Sequence, residues 1–80
     1  MMTAEEIMNG LKEVLTLVRP SIDVTSVSPA SRLIEDLGLD SLSMLLMSLG
    51  IENKFSIRFE GSPQLRTVQD VIDYVINASK

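Results

Sequence analysis

Residues 41 to 55 read Ser-Leu-Ser-Met-Leu-Leu-Met-Ser-Leu-Gly-Ile-Glu-Asn-Lys-Phe, and the fold follows from how these side chains distribute around a helix. Successive residues of an α-helix turn by about 100°. Leu42, Leu45, Leu46 and Leu49 then fall on one side, and Met44, Met47, Ile51 and Phe55 on the other. Both sets have the three- and four-residue spacing of a buried stripe, so the helix is apolar on two faces. A helix apolar all round is ordinarily enclosed by a large protein or a membrane. The chain has 80 residues, too few to wrap it, and the segment falls short of the ~20 residues that span a bilayer. One face is therefore expected to pack while the other stands at least partly exposed, where an apolar patch marks a partner site. Self-association, or a groove filled by a loop, are the alternatives. Periodicity alone does not say which face is core.

The flanks give this helix its ends. Gly38 bends freely and Asp40 is a good N-cap, so the helix is expected over Ser41–Lys54. Gly50 within it costs up to ~1 kcal/mol relative to alanine. Upstream, residues 21 to 38 keep no sustained period; they hold Pro29, several Ser and Thr, and apolar anchors at Ile22, Val24, Val27, Leu33 and Ile34. Ordered connections of that length are uncommon and often functional, and Leu33 to Leu37 fits a short helical turn. Before it, Thr3 followed by Glu6 reads as a capping box. Ile7, Leu11, Val14, Leu15 and Val18 form one stripe, which Pro20 ends. Downstream, Phe59-Glu60-Gly61-Ser62-Pro63 leaves room for one short turn. A last helix then starts at Thr67, with Asp70 three residues on and an apolar face of Val68, Val71, Ile72, Val75 and Ile76. Residues 55 to 59 alternate apolar and polar, but a lone strand has nothing to pair with.

Composition narrows the chemistry. There is no cysteine and no histidine, which removes disulfides, the usual metal ligands and the commonest general base. Ser-His-Asp and Cys-His triads are thereby excluded. Any chemistry uses something borrowed, and the chain is expected not to be an enzyme. Eleven acidic residues against seven basic give a net charge of −4, which disfavours nucleic acid and suits partners with basic patches. The N-terminal residues lack the basic region and apolar run of a signal peptide. The expectation is one domain, residues 1–80, monomeric and cytoplasmic, with no membrane span. Asn77-Ala78-Ser79 matches a glycosylation acceptor, a pattern common by chance.

Immediately before the two-faced helix stands Asp36-Leu37-Gly38-Leu39-Asp40-Ser41-Leu42. This stretch resembles the Asp-Ser-Leu signature of acyl carrier proteins with its preceding Asp-Leu-Gly. The likeness runs over most of the chain: Leu33-Ile34-Glu35 before the motif, Phe55 at the family's spacing after it, and Thr67 to Tyr74 in the last helix. The resemblance implies an all-α four-helix bundle, with three main helices, one short helix and a long first loop. It implies that a phosphopantetheinyl transferase joins 4′-phosphopantetheine from coenzyme A to Ser41, with Asp40 part of the motif the transferase reads. The thiol of that arm would carry acyl groups as thioesters for acyl-loading and condensing enzymes, in fatty-acid or specialised polyketide-like synthesis.

The resemblance also sorts the two faces. Met44, Met47, Ile51 and Phe55 match positions facing the core and the acyl pocket, with Ser48 among them. Leu42, Leu45 and Leu49, with Leu46, match the partner side, flanked by the acids Glu35 and Asp36. The chain departs from the family where acids are usual along this helix: Ser43, Leu46, Asn53 and Lys54 stand there, and only Glu52 remains. That departure points to a dedicated partner with a more apolar docking surface. A peptidyl or aminoacyl carrier, or an unmodified helical interaction module docking through its leucine face, are the alternatives.

Overall fold

The computed structural model describes residues 2–61 and 64–79. Helix α1 spans Ala4–Val18, α2 spans Ser41–Phe55 and α3 spans Val68–Ala78, with a 3-10 turn at Val24–Ser26 between the first two. The ends are built as the sequence predicts. The Thr3 hydroxyl accepts from the Glu6 N–H at 3.1 Å, and the Glu6 carboxylate accepts from the Thr3 N–H at 3.0 Å. Thr67 and Asp70 form the same reciprocal pair ahead of α3. Arg19 leaves the helical region ahead of Pro20, as the proline ring requires. Helix α2 runs one residue past its expected end, and Ser56 closes it in the left-handed region at φ 55°.

Two features differ from expectation. The described residues between Ile57 and Arg66 form no helical turn; Ser62 and Pro63, the centre of the punctuated stretch, lie outside the described residues. The short helical element lies instead in the long loop. There the Asp23 carboxylate accepts from the Thr25 N–H at 3.0 Å and starts the 3-10 turn, a local side-chain cap that carries no apolar period. The loop is also tied to α3: the Leu33 N–H donates to the Arg66 carbonyl, and the Val68 N–H to the Ser31 carbonyl.

The core is one connected cluster. Ile7, Leu11, Val14 and Leu15 of α1 meet Met47 and Ile51 of α2 and Val68, Val71, Ile72 and Val75 of α3, while the loop contributes Val27, Leu33 and Leu39. Of the loop's expected anchors, Ile34 is exposed and Leu39 takes that role instead. Helix α1 is the common support, with α2 and α3 both leaning on it. Its close crossing with α2 depends on two glycines. A Cβ on Gly50 would lie 2.8 Å from Val14 Cγ1, and one on Gly10 would run into the Phe55 ring. The helix-propensity cost of Gly50 thus accompanies a shorter distance between helices.

Candidate functional site

The start of α2 is assembled by the eight residues before it, Leu33 to Asp40. Leu33 to Leu37 form the anticipated turn, closed by bonds from the Asp36 N–H to the Arg32 carbonyl and from the Gly38 N–H to the Ile34 carbonyl. Gly38 takes φ 72°, a left-handed conformation that glycine adopts without the Cβ penalty. Leu39 is then buried at 2% exposure and pins the chain to the core. Asp40 follows in extended conformation as the N-cap, with its carboxylate accepting from the Ser43 N–H at 2.8 Å. That bond, with smaller help from the charge of Arg19, holds the Asp40 carboxyl below the ordinary aspartate range.

Ser41 is the first residue of α2 and is exposed. Its hydroxyl has no hydrogen-bond partner among the described residues, and no carboxylate is placed to activate it. Among the described residues the N–H groups of Ser41 and Leu42 also find no acceptor, since the Asp40 carboxylate takes that of Ser43 and the Asp40 carbonyl takes that of Met44. An accessible hydroxyl beside unpaired N–H groups at the positive end of a helix accommodates a phosphate ester. The geometry suits a hydroxyl acted on by another enzyme. Among the described residues no cluster of carboxylates is arranged to hold a metal ion.

Glu35 and Asp36 lie beside this turn on a surface that Arg32 organises. Arg32 donates from its backbone N–H, Nε and Nη2 to the Asp36 carboxylate, at 2.7, 3.2 and 3.1 Å, and its Nη1 lies 3.8 Å from Glu35. These hydrogen bonds lower the pKa of Asp36. Asp36 therefore stays ionised with its charge matched by the Arg32 guanidinium, and Glu35 stands at the edge of the same pair. Sequence reading missed Arg32, although its four-residue spacing from Asp36 is that of a helical ion pair.

The two faces of α2 separate as their spacing requires. Leu42, Leu45, Leu46 and Leu49 are 64, 56, 43 and 52% exposed. Met47 and Ile51 are fully buried, and Met44 and Phe55 are partly buried against the same core. The four residues of the second face do not line one cavity. Met44 borders a cleft of about 320 Å³ whose other walls are Leu45, Ser48, Leu49 and Glu52 of α2 and Phe59, Gly61 and Leu65. Met47 and Ile51 fill the core, and Phe55 lies over Gly10.

The far wall of the cleft was not legible from periodicity, because the segment carrying it is held by polar contacts. The Phe59 N–H donates to the Glu52 carboxylate at 2.7 Å, the Glu60 N–H donates to the Tyr74 hydroxyl at 2.9 Å, and the Phe59 and Tyr74 rings meet at 4.8 Å.

Comparison with known proteins agrees with this arrangement. A family model described as the phosphopantetheine attachment site matches residues 5–75. The chain is 36% identical over 80 residues to the acyl carrier protein of Acidothermus cellulolyticus, covering 98% of this chain and 94% of that one. It is 34% identical to the acyl carrier protein of Myxococcus xanthus, covering 98% and 100% of the two. It is also 37% identical over 75 residues to the meromycolate extension acyl carrier protein of Mycolicibacterium smegmatis, covering 91% and 75%.

Proposed function

The chain belongs to the acyl carrier protein family, and from that premise we propose that Ser41 is the residue to which its prosthetic group is joined. The family carries a covalent 4′-phosphopantetheine, so the chain is a carrier and not an enzyme. The group supplies the thiol that a chain without cysteine lacks. One observation carries the choice of Ser41: it is the exposed first residue of α2, with free N–H groups beside it. Asp40 caps the same helix end and belongs to the surface a phosphopantetheinyl transferase reads. We take residues 1–80 as a single carrier unit acting in the cytoplasm as a monomer. No helix of the described residues is long and apolar enough to cross a membrane.

The partner reading rests on charge. From Ser41 to Ile51 the helix holds no charged residue. At its end Lys54 is paired with Glu13 at 2.8 Å, and Glu52 is turned toward Phe59. Client enzymes therefore meet leucines at 42, 45, 46 and 49, with Glu35 at the margin. The acyl-loading and condensing enzymes that use this carrier accordingly have an apolar docking surface, which sets specialised polyketide-like or other dedicated synthesis on an equal footing with fatty-acid synthesis. A carrier similar to this chain is named for meromycolate extension, which is compatible with a dedicated role. The cleft beside Met44 is the natural place for the first part of the cargo, since the flexible thioether of Met44 adapts to shape.

Loading by a standard fatty-acid enzyme set tests the partner reading. Slow acylation, recovered when basic docking residues of those enzymes are made apolar, is expected; efficient turnover by the unaltered set contradicts it. Incubation with coenzyme A and a broad transferase, followed by intact mass measurement, tests Ser41. One added group, absent in Ser41→Ala, distinguishes the carrier from an unmodified interaction module.

A further inference from the structure

We propose that Arg19 receives the phosphodiester of the prosthetic arm, as a positioning residue that fixes the root of the arm at Ser41; the inference rests on the reading of Ser41 above. Arg19 is the C-cap of α1 and is partly buried. Its guanidinium lies over the Gly38 turn: a Cβ built on Gly38 would sit 3.7 Å from both Nε and Nη2. Its charge also reaches Asp40, where it helps to keep the carboxyl ionised.

What sets Arg19 apart is that its neighbours leave it unengaged. The acids bordering the same depression are Asp23, Glu35 and Asp36. Asp23 is taken by Thr25, through both the backbone N–H and the hydroxyl. Asp36 and Glu35 are taken by Arg32. Lys54 is held by Glu13. Arg19 joins no ion pair among the described residues.

Attachment of the arm adds a negative charge one residue from the Asp40 carboxylate, on a stretch already carrying Glu35 and Asp36. The partial charge of the helix end offsets only part of this, since it amounts to about half an elementary charge. A guanidinium with two N–H groups on one edge matches two phosphate oxygens, which a flexible ammonium does not. Arg19, held over the Gly38 turn three residues ahead of Ser41, is then the cation that the phosphodiester meets on that side of the helix end.

The test uses the whole chain, labelled with nitrogen-15, before and after conversion with coenzyme A and a transferase. Conversion is followed by mass and the arginine Nε–Hε signals by NMR. The Arg19 signal is expected to shift more than those of Arg32, Arg58 and Arg66 and to exchange more slowly with water. The phosphorus signal of Arg19→Gln should be displaced from that of the parent protein, and that of Arg19→Lys less so. Full conversion with an unmoved Arg19 signal, and with the same phosphorus signal in Arg19→Gln, overturns the proposal while leaving Ser41 intact. No added group at all overturns the Ser41 reading, and this inference with it.

Discussion

Gly50 shows how one residue answers to two demands. Alanine there would improve helix propensity by up to ~1 kcal/mol, but its Cβ would press on Val14, 2.8 Å away. Forcing a methyl into a packed contact costs about 1–3 kcal/mol, so Gly50→Ala should destabilise the protein by roughly 1 kcal/mol, the difference of those two effects. In a Val14→Ala background the obstructing methyls are gone and the same change should become neutral or stabilising. Urea denaturation of the four proteins decides it; an equal cost in both backgrounds would mean the contact is not what selects glycine. Capping is the other residue-scale control. Thr67→Ala removes the hydroxyl that accepts from the Asp70 N–H at 3.2 Å and should cost about 1 kcal/mol.

At the scale of the element, α2 is legible as a helix but ambiguous as to side. Its two apolar stripes have equal spacing, so the residues alone do not distinguish Leu46 from Met47. The structure turns Met47 inward at 0% exposure and leaves Leu46 at 43%. Met47→Ala should therefore cost about 2–5 kcal/mol, as buried truncations do. Leu45→Gln and Leu49→Gln should change stability by less than about 0.5 kcal/mol while weakening the docking of client enzymes. A large stability loss at Leu45, or none at Met47, would reverse the assignment of faces.

The other elements differ in how much could be read beforehand. The boundaries of α1 and α3 were legible because Thr3/Glu6 and Thr67/Asp70 are local signals sufficient in themselves. The turn at Val24–Ser26 was not, since an aspartate bonding two residues ahead leaves no period to read. The Phe59 wall was hidden for a related reason: Glu52 and Tyr74 hold it from 7 and 15 positions away. The exposed helix start at Ser41 was legible from Asp40 and Gly38, whereas the place of Arg19 beside it depends on how α1 and the Gly38 turn fold together.

Across the whole molecule, acidic side chains cap backbone more than they pair with bases. Glu6, Asp40 and Asp70 accept backbone N–H bonds, and Asp23 accepts from the Thr25 hydroxyl and then its N–H, and these bonds hold the four carboxyls below ordinary values. A carboxyl lowered in the folded state contributes stability that is present above its unfolded pKa and lost as pH falls through the folded one. With ordinary values of 3.8 for aspartate and 4.5 for glutamate, the melting temperature should hold from neutrality to about pH 5 and decline below about pH 4. Asp70→Asn should start lower and decline less steeply. A melting temperature that rises on acidification would show that relief of the net −4 charge outweighs the caps.

The same whole-molecule frame supports the role proposed for Ser41. One small core, tied through Leu39, holds the start of α2 still while leaving its first hydroxyl in the open. The most direct test is to treat the chain and its Ser41→Ala variant with coenzyme A and a broad-range transferase, weigh both intact, and locate any added group by fragmentation. A single phosphopantetheine is expected on Ser41 of the parent chain and none on the variant, with both melting at the same temperature. A parent chain that stays unmodified, or a variant that still gains the group, would contradict it.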